Sequence, residues 1–168
     1  DAAYTVAVTT ARAVYPDEYL TDIQAVERFS GLMNDFASKI GMQNSHFTTP
    51  EGWDDANQYT TVRDLLTLSE YALSIPVIRG IVGTYQKYIV FVSGENVTWT
   101  NTNNILNPNN PYYIPYASGM KTGTTADAGN CHIGAYTINE KTYISVVVGC
   151  ETNADRYNLT LKLISGVL

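Results

Sequence analysis

The sequence predicts an α+β fold in which helices come first, an antiparallel sheet follows, and one further helix closes the chain. Three observations carry this prediction. Apolar residues recur at steps of three and four up to about residue 75, the period changes to two from Tyr85, and the helical period returns from Asp155. The length of 168 residues, with 45% hydrophobic and 15% charged residues, predicts a single globular domain over residues 1–168.

The net charge and the distribution of apolar residues limit the kinds of partner that the protein can have. The formal net charge of −6 argues against nucleic acid as a partner, because a phosphate backbone repels an acidic protein. No run of 18 apolar residues occurs in the sequence, so no segment is predicted to span a membrane.

The first forty residues predict two helices. Residues 2–14 contain neither glycine nor proline and precede Pro16, and residues 22–40 carry apolar side chains on one helical face. Gly41 follows the second helix at a position where a left-handed residue commonly ends helices. We expect the apolar face of this second helix to be buried; it consists of Ile23, Val26, Phe29, Met33, Phe36 and Ile40.

Residues 43–60 are polar and predict an irregular loop. The adjacent Asp54 and Asp55 lack the alternating oxygen ligands and the closing glutamate of a calcium loop, which favours a solvated loop over a cation site. His46 is interpreted as a hydrogen-bonded structural histidine rather than a catalytic base.

A third helix is predicted to follow this loop. Thr61 can cap its start, Asp64 stands in the first turn where an acidic side chain is favourable, and the helix ends before Pro76. Its predicted apolar stripe is Leu65, Leu66, Leu68, Tyr71, Ala72 and Leu73.

Patterns of period two predict two hairpins and hence the sheet. Residues 85–92 and 97–99 flank a turn-prone Ser-Gly-Glu-Asn segment, and residues 131–138 and 142–149 form the second pair. A closing helix is predicted over residues 155–168, with the apolar positions Leu159, Leu161, Leu163, Ile164 and Leu168.

The two cysteines, Cys131 and Cys150, lie on the strands of the second hairpin. A turn about Asn139-Glu140 would place both sulfur atoms on one face with a diagonal offset. The two cysteines could then form a disulfide or remain two thiols; we favour two buried thiols. Cys131-His132 together with His46 lacks the ligand spacing of a zinc site, which favours ordinary packing, and we expect no metal.

The candidate functional residues begin at Lys121, at the start of another extended segment. Lys121-Thr122-Gly123-Thr124 offers main-chain N–H groups, two hydroxyls and one ammonium group to an anion, and Gly123 has no Cβ to keep a ligand away from the backbone. Lys-Thr-Gly is one of three motifs shared by penicillin-binding proteins and class A β-lactamases. For so short a motif, an ordinary exposed strand is the alternative.

Further segments in the same order extend this resemblance. Residues 33–34 with 41–47, residues 59–65, the Asn-Thr-Asn segment at 101–103 and residues 119–126 are similar to successive motifs of low-molecular-mass penicillin-binding proteins, the serine-type D-alanyl-D-alanine carboxypeptidases. The chain resembles the C-terminal two-thirds of their catalytic domain. The resemblance implies a β-lactamase/DD-peptidase-like (transpeptidase-like) fold, an antiparallel sheet flanked by helices, with the N-terminal strands and the nucleophile helix missing.

The resemblance also implies a reaction and the residues that serve it. The family removes the terminal D-alanine from peptidoglycan stem peptides ending in D-Ala-D-Ala through an acyl-enzyme, is acylated by β-lactams, and needs no cofactor. Lys121 is the implied catalytic residue, and the Thr124 N–H would form half of the oxyanion hole. The implied substrate-binding residues are Lys121, Thr122, Gly123, Thr124 and Arg156. For Arg156, a structural ion pair with Asp155 or Glu151 is the alternative.

The nucleophile of the family is the serine of a Ser-x-x-Lys motif at the start of a helix. Ser118-Gly-Met-Lys121 spells this motif, but side chains at i and i+3 of a strand point to opposite faces, so we reject Ser118 as the nucleophile. We therefore expect residues 1–168 to be an N-terminally truncated catalytic domain, inactive alone, whose partner is the missing N-terminal segment. Thr102 also stands where some relatives have arginine.

Two alternative functions stay open. A β-lactamase fragment would share the sheet and the Lys-Thr-Gly motif, but the signature of the deacylating glutamate loop is not found in the sequence. A non-catalytic cell-wall-binding module would have kept the fold and lost the serine. For the enzyme, the substrate implies a bacterial protein with a role in the cell wall and in cell shape. Its location would be extracytoplasmic, either secreted or anchored at the outer face of the cytoplasmic membrane.

Overall fold

A computed structural model describes residues 2–167 and shows the predicted order of helices, antiparallel sheet and closing helix. The chain falls into two units, Asp1–Leu68 and Ser69–Leu168, each with its own cluster of buried apolar side chains. The prediction of a single domain over residues 1–168 stays a prediction.

The first unit begins with the two predicted helices, α1 (Ala2–Val14) and α2 (Asp22–Lys39). A capping box starts α2: the Thr21 side chain accepts the N–H of Gln24, and the Gln24 side chain accepts the N–H of Thr21. Gly41 adopts φ +96° just after the helix. Both helices are confirmed to within one residue at each end.

The predicted buried stripe of α2 is partly wrong. Ile23 is 71% exposed and Phe36 is 39% exposed, although both belong to the apolar face. The buried positions of α2 are instead the small residues Ala25, Ser30 and Ala37. Helices that pack closely select small side chains at their contact, and Ala25 joins Val8 and Ala11 of α1 in the core of this unit.

Local hydrogen bonds order the polar loop over residues 43–60. His46 Nδ1 lies 2.7 Å from the carbonyl oxygen of Asn57, which confirms a hydrogen-bonded structural histidine. The buried Asp64 carboxylate accepts the Asn44 N–H and the Ser45 hydroxyl, each at 2.7 Å. This carboxylate therefore fixes the loop to the first turn of the next helix.

Helix α3 (Val62–Ser74) begins where the sequence predicts. Thr61 Oγ1 accepts the N–H of Asp64 at 3.1 Å, which confirms the cap. Its predicted apolar stripe is wrong at two positions, since Leu66 is 37% exposed and Tyr71 is 43% exposed.

A short helix, α4 (Pro76–Val82), follows and was not predicted. Pro76 occupies its first turn, where the missing N–H of proline costs nothing because the amides there have no helical partner. Within residues 2–167, no single helix is long and apolar enough to cross a membrane. Only α3 and α4 taken together, bent by 108° where they meet, reach that length and composition.

The second unit contains both predicted hairpins. Strands β1 (Gln86–Val90) and β2 (Asn96–Thr100) form a two-stranded antiparallel sheet. Strands β3 (Ala117–Thr125), β4 (Gly129–Ile138) and β5 (Lys141–Cys150) form a three-stranded antiparallel sheet in the order β3-β4-β5. The residues Asn139 and Glu140 between β4 and β5 have φ +49° and +63°, as a tight hairpin turn requires.

The cysteines of this sheet are both free thiols, and only Cys150 is buried. Asn130, not Cys131, pairs with Cys150, because the register shifts between Asn130 and His132. The expectation of two buried thiols is therefore confirmed for Cys150 and wrong for Cys131, which is only partly buried. The register shift beside Cys131 is an irregularity that the alternation of residues does not reveal.

The closing helix, α5, spans Asn153–Ser165 rather than residues 155–168. It begins earlier because Thr152 and Asp155 form a capping box, and it ends earlier at Gly166. Leu168, the last predicted position, lies outside the described residues.

The buried face of α5 also differs from the predicted one. Leu159 is 46% exposed and Leu163 is 52% exposed, whereas the buried residues are Arg156, Tyr157, Thr160 and Ile164. Helix α5 packs on β4 and β5. The core of this unit comprises Ile105, Leu106, Ile114, Tyr136, Tyr157 and Ile164. Two polar side chains thus occupy the face of α5 that hydropathy alone would make apolar.

Candidate active site

Strand β3 lies at an edge of the described three-stranded sheet and carries four of the predicted site residues in succession. Thr122 lies opposite His132 of β4, and Thr124 lies opposite Asn130. Because side chains alternate along a strand, Lys121 belongs to the other face. An edge strand keeps main-chain N–H and C=O groups that no neighbouring strand takes up, and such groups can bind an extended peptide.

Arg156 reaches this strand from the first turn of α5. Its Nη1 donates to the carbonyl oxygen of Gly123 at 3.0 Å, to Thr124 Oγ1 at 3.1 Å and to the carbonyl oxygen of Cys131 at 3.3 Å. The side chain is buried, at 8% exposed. The structure therefore brings Arg156 to the part of β3 that contains Gly123 and Thr124, close enough to Lys121 for the two charges to interact.

The alternative ion pair of Arg156 is not formed. The Asp155 carboxylate instead accepts the hydroxyl of Thr152 at 2.6 Å and its N–H at 3.1 Å, as part of the helix cap. Across residues 2–167, no ion pair joins Arg156 to Asp155 or Glu151.

The site is positively charged although the whole chain is acidic. Lys121 Nζ donates to the carbonyl oxygen of Thr122. Partial burial and the nearby charge of Arg156 lower the pKa of Lys121 below its ordinary value. In the described part of the chain, neither cation has a carboxylate partner. A ligand with a carboxylate would supply the missing negative charge.

The turn formed by Asn101-Thr102-Asn103 contacts β3 through Thr102. Thr102 Oγ1 lies 2.7 Å from Thr122 Oγ1, so Thr102 contacts the Lys-Thr-Gly motif through its hydroxyl. Asn101 Oδ1 accepts the N–H of Asn103 at 3.0 Å and tightens the turn. Asn101 Nδ2 also lies 3.2 Å from the carbonyl oxygen of Thr84.

From the sequence, His132 is only a candidate metal ligand, and its position beside the site is not predicted. It is 1% exposed and lies between Asn103 Oδ1, 3.0 Å from Nε2, and Thr160 Oγ1, 2.9 Å from Nδ1. Burial, with the charge of Arg156, lowers the pKa of His132 to about 4, so the ring is neutral at neutral pH. The sequence does contain one signal: His132 precedes Tyr136 by four residues on a predicted strand, so both side chains lie on the same face of β4.

Ser118 lies within β3, where the register shifts between Ala117 and Gly119. It is not at the start of a helix, and no helical turn brings it to Lys121. Within the described chain, no group of three or more His, Cys, Asp or Glu side chains is placed to bind a metal ion.

Comparisons of the sequence identify one family. The family described as D-alanyl-D-alanine carboxypeptidase, of the peptidase S11 type, matches residues 24–152. The D-alanyl-D-alanine carboxypeptidase DacC of Escherichia coli (strain K12) is 35% identical over 139 residues, which cover 83% of this chain and 33% of that protein. The D-alanyl-D-alanine carboxypeptidase of Streptomyces sp. (strain K15) is 30% identical over 173 residues, which cover 98% of this chain and 55% of that protein. The chain thus spans between a third and about half of the length of these relatives.

Comparisons of the structure agree with those of the sequence. The crystal structure of the Streptomyces K15 DD-transpeptidase superposes with a TM-score of 0.83 at 28% identity, covering 98% of this chain and 60% of that one. Penicillin-binding protein D2 from Listeria monocytogenes, in its cefotaxime-bound form, gives a TM-score of 0.69 at 28% identity, covering 84% of this chain and 57% of that one. The DD-peptidase-like fold that the sequence predicts is confirmed.

Proposed function

This chain belongs to the D-alanyl-D-alanine carboxypeptidase family, and we propose that it forms part of a serine-type peptidase that removes the terminal D-alanine from peptidoglycan stem peptides. One observation carries the proposal: the Arg156 guanidinium binds Gly123 O and Thr124 Oγ1 at the end of the edge strand that bears Lys121. Two cations beside an edge strand suit a peptide that ends in a carboxylate.

Recognition of the substrate would begin at its terminal carboxylate. Arg156 and the Thr124 hydroxyl are the groups that would bind it, through charge-assisted hydrogen bonds, and Lys121 on the other face of β3 would add positive charge. Such a bond contributes about 1.5–3 kcal/mol, which corresponds to about 10- to 150-fold in affinity or rate. Recognition of the free carboxylate would confine cleavage to the last peptide bond of the stem peptide.

The chemical step needs a nucleophile that we place outside residues 1–168. A serine hydroxyl would attack the carbonyl carbon before the last D-alanine, D-alanine would leave with a proton, and water would then release the acyl group. The Thr124 N–H would donate to the oxyanion, a contact worth about 2.7–4 kcal/mol where one donor has been removed. The same serine would open the ring of a β-lactam. The ammonium group of Lys121 would supply positive charge beside this serine.

We place the protein outside the cytoplasm, secreted or anchored at the outer face of the bacterial membrane, and assign it a role in the cell wall and in cell shape. The proposed substrate supports this location, because peptidoglycan stem peptides are cross-linked on that side of the membrane. A fusion to alkaline phosphatase, which is active only after export, tests it.

The activity is tested on the protein expressed from its full reading frame. The measurements are the rate of labelling by a fluorescent penicillin and the release of D-alanine from diacetyl-L-Lys-D-Ala-D-Ala. We expect Arg156→Leu to lower both about 10- to 150-fold. Arg79→Leu is the matched control, because Arg79 is an exposed residue of α4 outside the site.

The outcomes separate the alternative functions. If the wild-type protein takes no label and releases no D-alanine, it is a non-catalytic wall-binding module. If it hydrolyses penicillin rapidly and leaves the peptide intact, it is a β-lactamase. An equal loss in both arginine variants would contradict the role given to Arg156.

A further inference from the structure

His132 is a buried polar group that the reaction proposed above does not use. It lies on β4 directly opposite Thr122, in the layer between β3 and α5. Its two ring nitrogens contact residues of two different elements, Asn103 before β3 and Thr160 on α5. The imidazole therefore connects two parts of the chain that each touch the candidate site.

Thr160 leads from the imidazole to Arg156. Thr160 is fully buried, and its hydroxyl lies 2.7 Å from the carbonyl oxygen of Arg156, one helical turn earlier. The turn of α5 that projects the guanidinium toward Thr124 is thereby fixed to β4 through His132. The ring of Tyr157 lies 5.3 Å from the imidazole and restricts its rotation.

Asn103 leads from the imidazole to Thr122. Asn103 Oδ1 also accepts the N–H of Ile105 at 3.3 Å, which fixes the orientation of the amide. The next residue back, Thr102, places its hydroxyl on Thr122 Oγ1. The guanidinium of Arg156 and the Thr122 hydroxyl, which lies on the same face of β3 as the Thr124 hydroxyl, are thus connected through one imidazole.

The hydrogen count fixes the tautomer of this imidazole. Asn103 Oδ1 can only accept, so Nε2 of His132 must carry the proton. In a neutral ring Nδ1 is then an acceptor, and its donor is the Thr160 hydroxyl. That hydroxyl has a single hydrogen and also faces the carbonyl oxygen of Arg156, so it is shared between the two acceptors. A leucine of similar size would fill the space but would leave Asn103 and Thr160 without this connection.

We propose that His132 is a positioning residue that, through Thr160 and Asn103, sets the preference of the site for a free carboxylate. The proposal rests on the proposed function, because it gives the carboxylate to Arg156 and the β3 threonines. It differs from a purely structural role in one respect. Loss of the connection should affect ligands with a carboxylate more than otherwise identical ligands without one.

The test uses the protein expressed from its full reading frame and two probes, benzylpenicillin and its methyl ester. Intact-mass spectrometry gives the acylation rate for each, and the ratio of the two rates measures preference for the carboxylate. Thr160→Val removes the hydroxyl while keeping the shape, and Thr160→Ser keeps the hydroxyl. We expect the ratio to fall about fivefold in Thr160→Val, the equivalent of one neutral hydrogen bond, and to stay near the wild-type value in Thr160→Ser.

A second variant allows the ratio to be measured if Thr160→Val does not fold. His132→Leu should lower the ratio at least as far as Thr160→Val, and thermal unfolding reports whether each variant is folded at the assay temperature. The ratio is read from whichever of these two variants is folded. If neither is folded, Asn103→Ala, which removes the acceptor oxygen for Nε2, should lower the ratio.

The results separate this inference from the proposed function. A wild-type protein that is not acylated, or that labels equally fast with acid and ester, contradicts the proposed function itself. A wild-type preference for the acid that survives in the folded variants overturns the role of His132 alone. An equal fall in Thr160→Ser and Thr160→Val also overturns it, because the hydroxyl would then not be the connecting group.

Discussion

Stability should depend on pH through His132 in a way that can be calculated. An imidazole exposed in the unfolded chain has a pKa of about 6.5, whereas burial and Arg156 lower the pKa of His132 to about 4. Between these values the unfolded state binds a proton that the native state does not. The contribution of His132 is therefore fully present above about pH 6.5 and is lost as the pH falls toward 4. The slope is about 1.4 kcal/mol per pH unit, and the total loss is about 3 kcal/mol.

The assay is urea unfolding of the wild type and of His132→Gln, followed by circular dichroism across this pH range. Glutamine can still hydrogen-bond but cannot titrate, so the carboxyl groups common to both proteins cancel in the difference. We expect the wild type to lose about 3 kcal/mol more than His132→Gln between pH 6.5 and 4. Parallel loss in the two proteins, or an NMR titration of native His132 near pH 6.5, would refute the reasoning.

Three further predictions concern the fragment, a helix cap and a glycine. The isolated 168 residues should form no acyl adduct with benzylpenicillin by intact-mass spectrometry, and a stoichiometric adduct would contradict the external nucleophile. Thr152→Ala should lower the free energy of unfolding by about 1 kcal/mol through loss of the α5 cap, with Thr152→Ser as the control that retains it. A Cβ at Gly134 would overlap the Tyr136 hydroxyl, so Gly134→Ala should destabilise the protein by about 1–3 kcal/mol in urea unfolding. Gly80→Ala, with nothing within 4 Å of its Cβ, should not.

The elements that the sequence predicted well are those with local boundaries. Helix α2 runs between a capping box at Thr21 and the positive φ of Gly41, and both signals lie within a few residues of the ends they set. The hairpin about Asn139-Glu140 is equally local. The unpredicted α4 is only seven residues long, too short for a helical period to stand out from the flanking loop.

Burial was predicted less well, because it depends on what an element packs against. Ile23 and Phe36 belong to the apolar face of α2, yet the close approach of α1 selects Ala25 instead. Hydropathy describes one helix at a time and contains no information about the distance to its neighbour. The resemblance assigned Lys121 through Thr124, and Arg156, to the site because their motifs are also short and local, and this assignment stays a prediction.

The connection through His132 could not be found in this way, since it joins residues that are far apart in sequence. His132 is 28 residues from Thr160 and 29 from Asn103, and each of the three alone resembles an ordinary surface residue. Leaving one polar group buried without its partner costs about 1–3 kcal/mol, so none of them is favourable at its position unless the others are present. A polar residue that interrupts the apolar face of a strand, as His132 does, is therefore a better pointer to such a network than any apolar stripe.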